Sequence, residues 1–162
     1  MVAPVQDADS SSPNANQTRT ESDALRLIAR AEQSVSGLVR KLKKRRHDET
    51  CIEAVVSALL EKNLVNDLRF AKLWLGSRMH LPRSPRRLLA GLCSRGIERQ
   101  DGETALKTVL DEETEFLLLT RFLKKYAKKA ASNDRLSLKF LLKNEGFSPQ
   151  VIQRYFDEIC RS

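Results

Sequence analysis

The strongest constraint on how this chain can fold is that it repeats itself. Shifted by 50 residues, its apolar positions fall on one another. Leu38, Leu88 and Leu138 make one column, and Leu42, Leu92 and Leu142 a second. After a polar break come Val55, Ala105 and Tyr155, then Val56, Leu106 and Phe156, then Leu59, Val109 and Ile159, and last Leu60, Leu110 and Cys160. Within one copy the positions run i, i+4 and then i, i+1, i+4, i+5, the spacing of two amphipathic helices joined by a turn. The turn aligns too. Arg95-Gly96-Ile97 matches Glu145-Gly146-Phe147, whereas the first copy carries Arg45-Arg46-His47 and lacks the glycine. A further helix precedes each pair, over 23–33, 67–79 and 112–130, outside the register of the repeat.

A unit of about 50 residues cannot hide its apolar face alone, so neighbours must stack. The expectation is an all-α chain of three tandem three-helix repeats, elongated, curved and solenoid-like. Residues 1–20, rich in Ser, Asn, Pro and Asp, read as a disordered tail. The repeats then occupy 21–65, 66–111 and 112–162. Helix starts are marked by Ser84-Pro85 and Ser148-Pro149, where a capping hydroxyl precedes a proline that needs no N–H partner. Ser22-Asp23, Asn66-Asp67 and Asn133-Asp134 are further caps, and Gly96 and Gly146 suit helix ends. Leu68, Phe70, Ala71, Trp74 and Leu75 form a core stripe. The middle copy has Asp101 and Gly102 where the others have Cys51-Ile52 and Val151-Ile152, so its third helix is expected to be the weakest.

The charge says what such a scaffold could bind. The 162 residues carry a formal net charge of +8. Asp7, Asp9 and Arg19 give the first twenty residues a net charge of −1, so the positive charge belongs to the folded part. That balance favours a polyanionic partner. No apolar run is long enough to span a membrane, and the N-terminus lacks a signal-peptide pattern, so a cytoplasmic protein is expected. Cys51, Cys93 and Cys160 show no C-x-x-C pairing, which argues for reduced thiols. They stand at no zinc-ligand spacing to His47 or His80, and no metal or other cofactor is expected. Phosphate-loop, H-E-x-x-H and G-x-S-x-G motifs are absent, so no catalytic residue is assigned. Asp111 to Glu115, an acidic cluster, reads as a helix start favoured by the dipole.

Three basic clusters remain. Arg40 to Arg46 holds six cations in seven residues, including Lys43, Lys44, Arg45 and Arg46. Arg83, Arg86 and Arg87 surround the helix start at Pro85, with Arg78 at the end of the helix before it. Cations at a helix N-terminus, beside backbone N–H groups, suit a phosphate-type ligand. Lys124, Lys125, Lys128 and Lys129 lie on one helical stripe. One such run is usually only a solvated face; three on stacked repeats point to a continuous basic surface. Trp74, Phe70, Phe122, Phe147, Tyr155 and Phe156 fall in apolar positions, so they read as core and not as a base-stacking platform.

The segment from Leu64 to Ile97 resembles the RecX family of RecA regulators. The likeness rests on Asp67, Phe70, Ala71, Trp74 and Arg78, a D-x-x-F-A-x-x-W-x-x-x-R block, followed by Pro85, Arg86, Leu92, Gly96 and Ile97. With weaker flanks it covers about residues 22–160. Gly37, Gly102 and the missing turn glycine of the first copy depart from the family pattern. The resemblance implies tandem three-helix repeats. It also implies binding to RecA and to the RecA–single-stranded DNA filament, and restraint of recombinase, ATPase and coprotease activity; a monomer without enzymatic activity is expected. Arg78, Arg83, Arg86 and Arg87, then Lys43, Lys44, Arg45, Arg46, Lys124, Lys125, Lys128 and Lys129, would meet acidic groups of RecA or DNA phosphates. A helix-turn-helix DNA-binding regulator is the rival reading, since Ser84–Gly96 and the helix after it could mimic that geometry.

Overall fold

The computed structural model describes residues 13–130 and 134–161, with side chains over 15–126 and 134–158. Among the described residues every regular element is an α-helix: α1 (Pro13–Arg30), α2 (Val35–Lys44), α3 (Glu49–Glu61), α4 (Asp67–Gly76), α5 (Pro85–Cys93), α6 (Arg99–Val109), α7 (Glu112–Ala130), α8 (Arg135–Asn144) and α9 (Pro149–Arg161). They fall into two compact units, Met1–Asn66 with α1–α3 and Asp67–Ser162 with α4–α9.

The 50-residue register governs the turns as well as the core. Ser34, Ser84 and Asp134 cap α2, α5 and α8, each accepting from the N–H three residues on. Arg46, Gly96 and Gly146 all have positive φ, at 61°, 80° and 87°. The next residue then donates its N–H back into the helix: His47 to Leu42 O at 3.4 Å, Ile97 to Leu92 O at 3.3 Å, Phe147 to Leu142 O at 3.2 Å. This is the left-handed helix ending that glycine makes without strain. The first turn keeps that geometry with an arginine in the strained position.

In the first unit, α1, α2 and α3 pack together around Ala24, Leu27, Leu38, Leu42, Ile52, Val55, Val56, Leu59 and Val65. Two expectations fail here. Residues 13–20 of the expected tail are helical and Thr20 is buried, while 1–12 lie outside the described residues. Ser22-Asp23 is not a cap but the middle of α1, because Asp23 is used by a side chain 24 residues away. In addition Leu60, expected in an apolar column, is 44% exposed.

In the second unit α4 and α5 pack on α6, and α7 and α8 on α9. One core spans both triplets, from Ala71, Leu75, Leu88 and Leu92 to Leu118, Leu119, Phe122, Leu142, Phe147 and Val151. Gly102 has a packing reason: a Cβ there would stand 2.7 Å from Leu89 Cδ1, so the glycine lets α5 approach α6. Gly91 does the same for Trp74, whose Cη2 would lie 2.7 Å from an added Cβ. The two Ser-Pro helix starts are each filled by a glutamate from elsewhere in the unit. Glu145 accepts from the Ser84 hydroxyl at the start of α5. Glu115, buried, accepts from Ser148 N–H at 2.6 Å and its hydroxyl at 2.8 Å at the start of α9. The rest of the acidic cluster also serves the helix: Asp111 accepts from Thr114 N–H at 2.8 Å.

Candidate nucleic-acid interface

The basic run of the first unit is sorted by its neighbours. Lys43 donates to Glu49, which raises the lysine's pKa and lowers the carboxylate's. Arg45 lies 3.2 Å from Asp23. Lys41 donates to Gln33 at 2.6 Å. Arg40, Lys44 and Arg46 are exposed, with no acidic partner among the described residues within ion-pair distance. Arg40 and Lys44 are one helical turn apart, and Arg46 continues from the end of the same helix. Three cations thus face solvent at one helix end, and Lys41, held only by the neutral Gln33 amide, is a fourth charge without a carboxylate among the described residues. The Lys43–Glu49 pair is itself exposed, so solvent screens it and it fixes the lysine only weakly.

What holds that end in place is His47. Its ring is buried, with Nε2 3.0 Å from Asp23 Oδ2 and Nδ1 2.9 Å from the Thr20 hydroxyl. Thr20 in turn donates to Asn16 O at 2.8 Å. The bond from His47 is the main cause that holds the Asp23 carboxyl below its ordinary pKa, against partial desolvation and with help from Arg45. By sequence His47 looked isolated. It is instead the clasp between α1 and the turn that carries Arg46.

The second unit brings parts of the other two clusters together at Tyr126. Arg87 donates to the Tyr126 hydroxyl and its guanidinium lies 5.1 Å from the ring centre; Lys125 Nζ lies 5.9 Å from it. Arg87 also stands 3.9 Å from Glu145. The expected open anion site at the start of α5 is therefore corrected. Its N-terminus already holds the Glu145 carboxylate, and Arg86 N–H donates to Glu145 O at 3.0 Å. Arg83 and the Arg86 side chain are exposed, as are Lys124 and Lys125. The side chains of Lys128 and Lys129 lie outside the described residues. Arg78 is half-buried over Trp74, 5.6 Å from the ring centre, so it is partly scaffold. Arg95, which by sequence was only a turn residue, lies closer, at 4.6 Å, and donates to Gly91 O at 2.7 Å. Two guanidinium groups on one indole leave this corner strongly cationic. The signal was Trp74 itself, the one tryptophan, beside a glycine that makes room for it.

Among the described residues no group of three or more His, Cys, Asp or Glu side chains could hold a metal ion. Among them, too, no helix is long and apolar enough to cross a membrane. Cys93, whose register equivalents are Lys43 and Lys143, is exposed and is a free thiol; Cys51 is half-buried and free.

No family model matches the chain. Individual relatives do. A protein of Treponema pallidum named Regulatory protein RecX is 34% identical over 132 residues, which cover 81% of this chain and 79% of that protein. The chain belongs to the RecX family. A RecX of Chlorobium phaeobacteroides is 29% identical over 143 residues, 86% of this chain and 92% of the relative. The fold agrees: the crystal structure of RecX from Lactobacillus salivarius superposes with a TM-score of 0.70 at 20% identity, covering 92% of this chain and 99% of that one. Most of the block that resembles RecX is scaffold here. Ala71, Pro85, Leu92 and Ile97 are buried, and Gly96 closes the turn, so the block marks the RecX fold more than a binding surface.

Proposed function

We propose that this protein regulates RecA in the cytoplasm. It binds RecA and the RecA–single-stranded DNA filament as a monomer and limits filament growth in DNA repair and the SOS response, without catalysing a reaction. Membership of the RecX family supports the partner. The single structural observation that carries the nucleic-acid part is the end of α2, where Arg40, Lys44 and Arg46 remain exposed without an acidic partner among the described residues and Lys41 meets only the neutral Gln33 amide, while Lys43 and Arg45 are paired with carboxylates. Arg46 occupies a backbone conformation that the other two copies give to glycine, and an arginine kept there is a sign of use. Arg83, Arg86, Lys124 and Lys125 extend the reading to the second unit, with Arg87 and Arg78 contributing charge from more fixed positions. The contacts are to phosphates, because the aromatic side chains are largely committed to the core.

The test is titration of the protein into a RecA ATPase assay on single-stranded DNA. Inhibition at far less than one molecule per RecA supports action on growing filament ends. No effect on ATPase, together with RecA-independent and sequence-selective duplex binding, would replace this reading with that of a helix-turn-helix regulator.

A further inference from the structure

The two most exposed large apolar side chains described are Leu136 and Phe140, at 76% and 67%, and both lie on α8. They are one helical turn apart. At 100° per residue, each sits about 160° around the helix from the core-facing residue two positions on, Leu138 and Leu142 respectively. Nothing in the folding of the second unit requires them there. The register makes the point sharper. Their equivalents are Ser36 and Arg40 on α2, and Arg86 and Ala90 on α5, so only the third copy is apolar at both positions.

The α5 equivalent shows what this face of a middle helix does. Arg86 and Ala90, with Pro85, Leu89 and Cys93, line an open groove of about 630 Å³ that Asn144 and Gly146 also border. That face receives a helix end from the next triplet. On α8 the corresponding positions are more apolar, Leu136 and Phe140 in place of Arg86 and Ala90. Beside it runs a second stripe of Arg135, Lys139 and Lys143, also one turn apart. Between its cap Asp134 and the turn residue Glu145, α8 carries no acidic residue. An apolar stripe flanked by cations along one helix matches a helix with apolar residues on one side and carboxylates beside them.

We propose that the outer face of α8 is a protein-docking surface that takes an acidic amphipathic helix of the protein partner, separate from the phosphate-binding cations of the first unit. The identity of that partner as RecA rests on the reading above. The partner's helix lays its apolar side on Leu136 and Phe140, and its carboxylates meet Lys143, which is exposed, while Arg135 and Lys139 lie over the Phe156 ring and add positive field from there.

The experiment measures binding of labelled full-length protein to RecA without DNA, by fluorescence anisotropy. It compares wild type with Leu136→Ser/Phe140→Ser and, separately, with Lys143→Glu. Because the two apolar side chains are exposed, the double variant keeps the wild-type helicity and melting temperature. It is expected to bind RecA at least tenfold more weakly, and Lys143→Glu severalfold more weakly, with polyanion binding to single-stranded DNA alone unchanged. Wild-type affinity in the folded double variant overturns the docking surface and leaves the proposed function standing. Failure of the wild-type protein to bind RecA overturns both. If sedimentation shows a wild-type dimer that the double variant abolishes, a second copy covers this face and the proposal is wrong. It is equally wrong if the variant loses affinity for anionic lipid vesicles and not for RecA.

Discussion

After the left-handed turn residue the first unit places His47; the second unit places Ile97 and Phe147 at the equivalent points. All three side chains are buried and all three backbones make the same return bond. In the second unit the buried group is apolar and joins the core directly. In the first it is an imidazole that must find polar partners, and it finds them on α1, in Asp23 and Thr20. The polar groups of the second unit are used otherwise: Glu115 and Glu145 fill the starts of α9 and α5, and Arg154 bridges Glu113 at 2.6 Å and Glu158 at 3.1 Å. One unit fastens its turn with a hydrogen-bonded clasp and leaves cations outside. The other fastens helix ends with carboxylates and ties up several of its cations doing so. The same repeat can therefore serve as a presenting end or as a packed body, according to where the charges are neutralised.

The largest effect that would break this contrast is on the shared column. Leu42 and Leu92 are both fully buried, so Leu42→Ala and Leu92→Ala should each cost ~2–5 kcal/mol. Hydrogen exchange should show the first loosening α1–α3 and the second loosening α4–α9. If either variant releases the amides of both units together, the two cores are one cooperative body and the comparison fails.

Next comes the carboxylate at the start of α9. Glu115→Ala leaves Ser148 N–H and hydroxyl without their acceptor and should cost ~1.5–3 kcal/mol, the range for a hydrogen bond to a charged group whose partner is left behind. The loss should appear in denaturant unfolding followed at Tyr155 and Trp74, both in the second unit. An unchanged midpoint would show that the buried glutamate only tolerates its place.

The sequence made the columns readable because helical periodicity is a local property. Leu38, Leu42, Leu88, Leu92 and Leu142 are all fully buried where the register put them. The turn glycines and the Ser-Pro starts were readable for the same reason. The beginning of α1 was not, since Ser22-Asp23 has the chemistry of a cap and only the fold reveals that Asp23 is held by His47. The site was half readable. Counting cations finds the patches, but it cannot tell which are tied down from far along the chain: Arg45 by the Asp23 carboxylate, and Arg87 by the Glu145 carboxylate and a hydrogen bond to the Tyr126 hydroxyl.

The clasp of the first unit should respond to acid. Asp23 titrates below its ordinary value, chiefly because His47 donates to it. A carboxyl depressed in the folded state contributes its stability above the unfolded value, near ~3.9, and loses it as pH falls through the folded value. Acid should therefore loosen α1 from the turn below about pH 4. Asp111 and Asp134 in the second unit are depressed too, but by N–H groups of their own helices, Thr114 and Ser137, so their protonation frays helix starts without detaching a helix. Asp23→Asn should weaken the first unit at neutral pH and flatten its acid response. If the protection factors of the α1 amides are as large at pH 3 as at pH 7, the clasp does not hold the helix.

The smallest effect bears most directly on function. Arg46 has φ 61° where Gly96 and Gly146 stand in the second unit. A non-glycine residue there costs about 1–2 kcal/mol, while glycine costs about 0.5–1 kcal/mol more than other residues in lost chain entropy. Arg46→Gly should therefore stabilise the first unit by a net ~0.5–1 kcal/mol. The same change removes one of four unneutralised cations, Arg40, Lys41, Lys44 and Arg46. For each phosphate no longer met, the salt dependence of single-stranded DNA binding should fall by ~0.7 in log–log slope, so the more stable variant should bind less steeply and more weakly. Gly96→Arg is the converse: it should strain the second unit and add a cation where none is used. If Arg46→Gly gains stability with the salt slope unchanged, Arg46 only tolerates its turn. A slope reduced by one phosphate's share means the strained arginine is kept because a phosphate meets it.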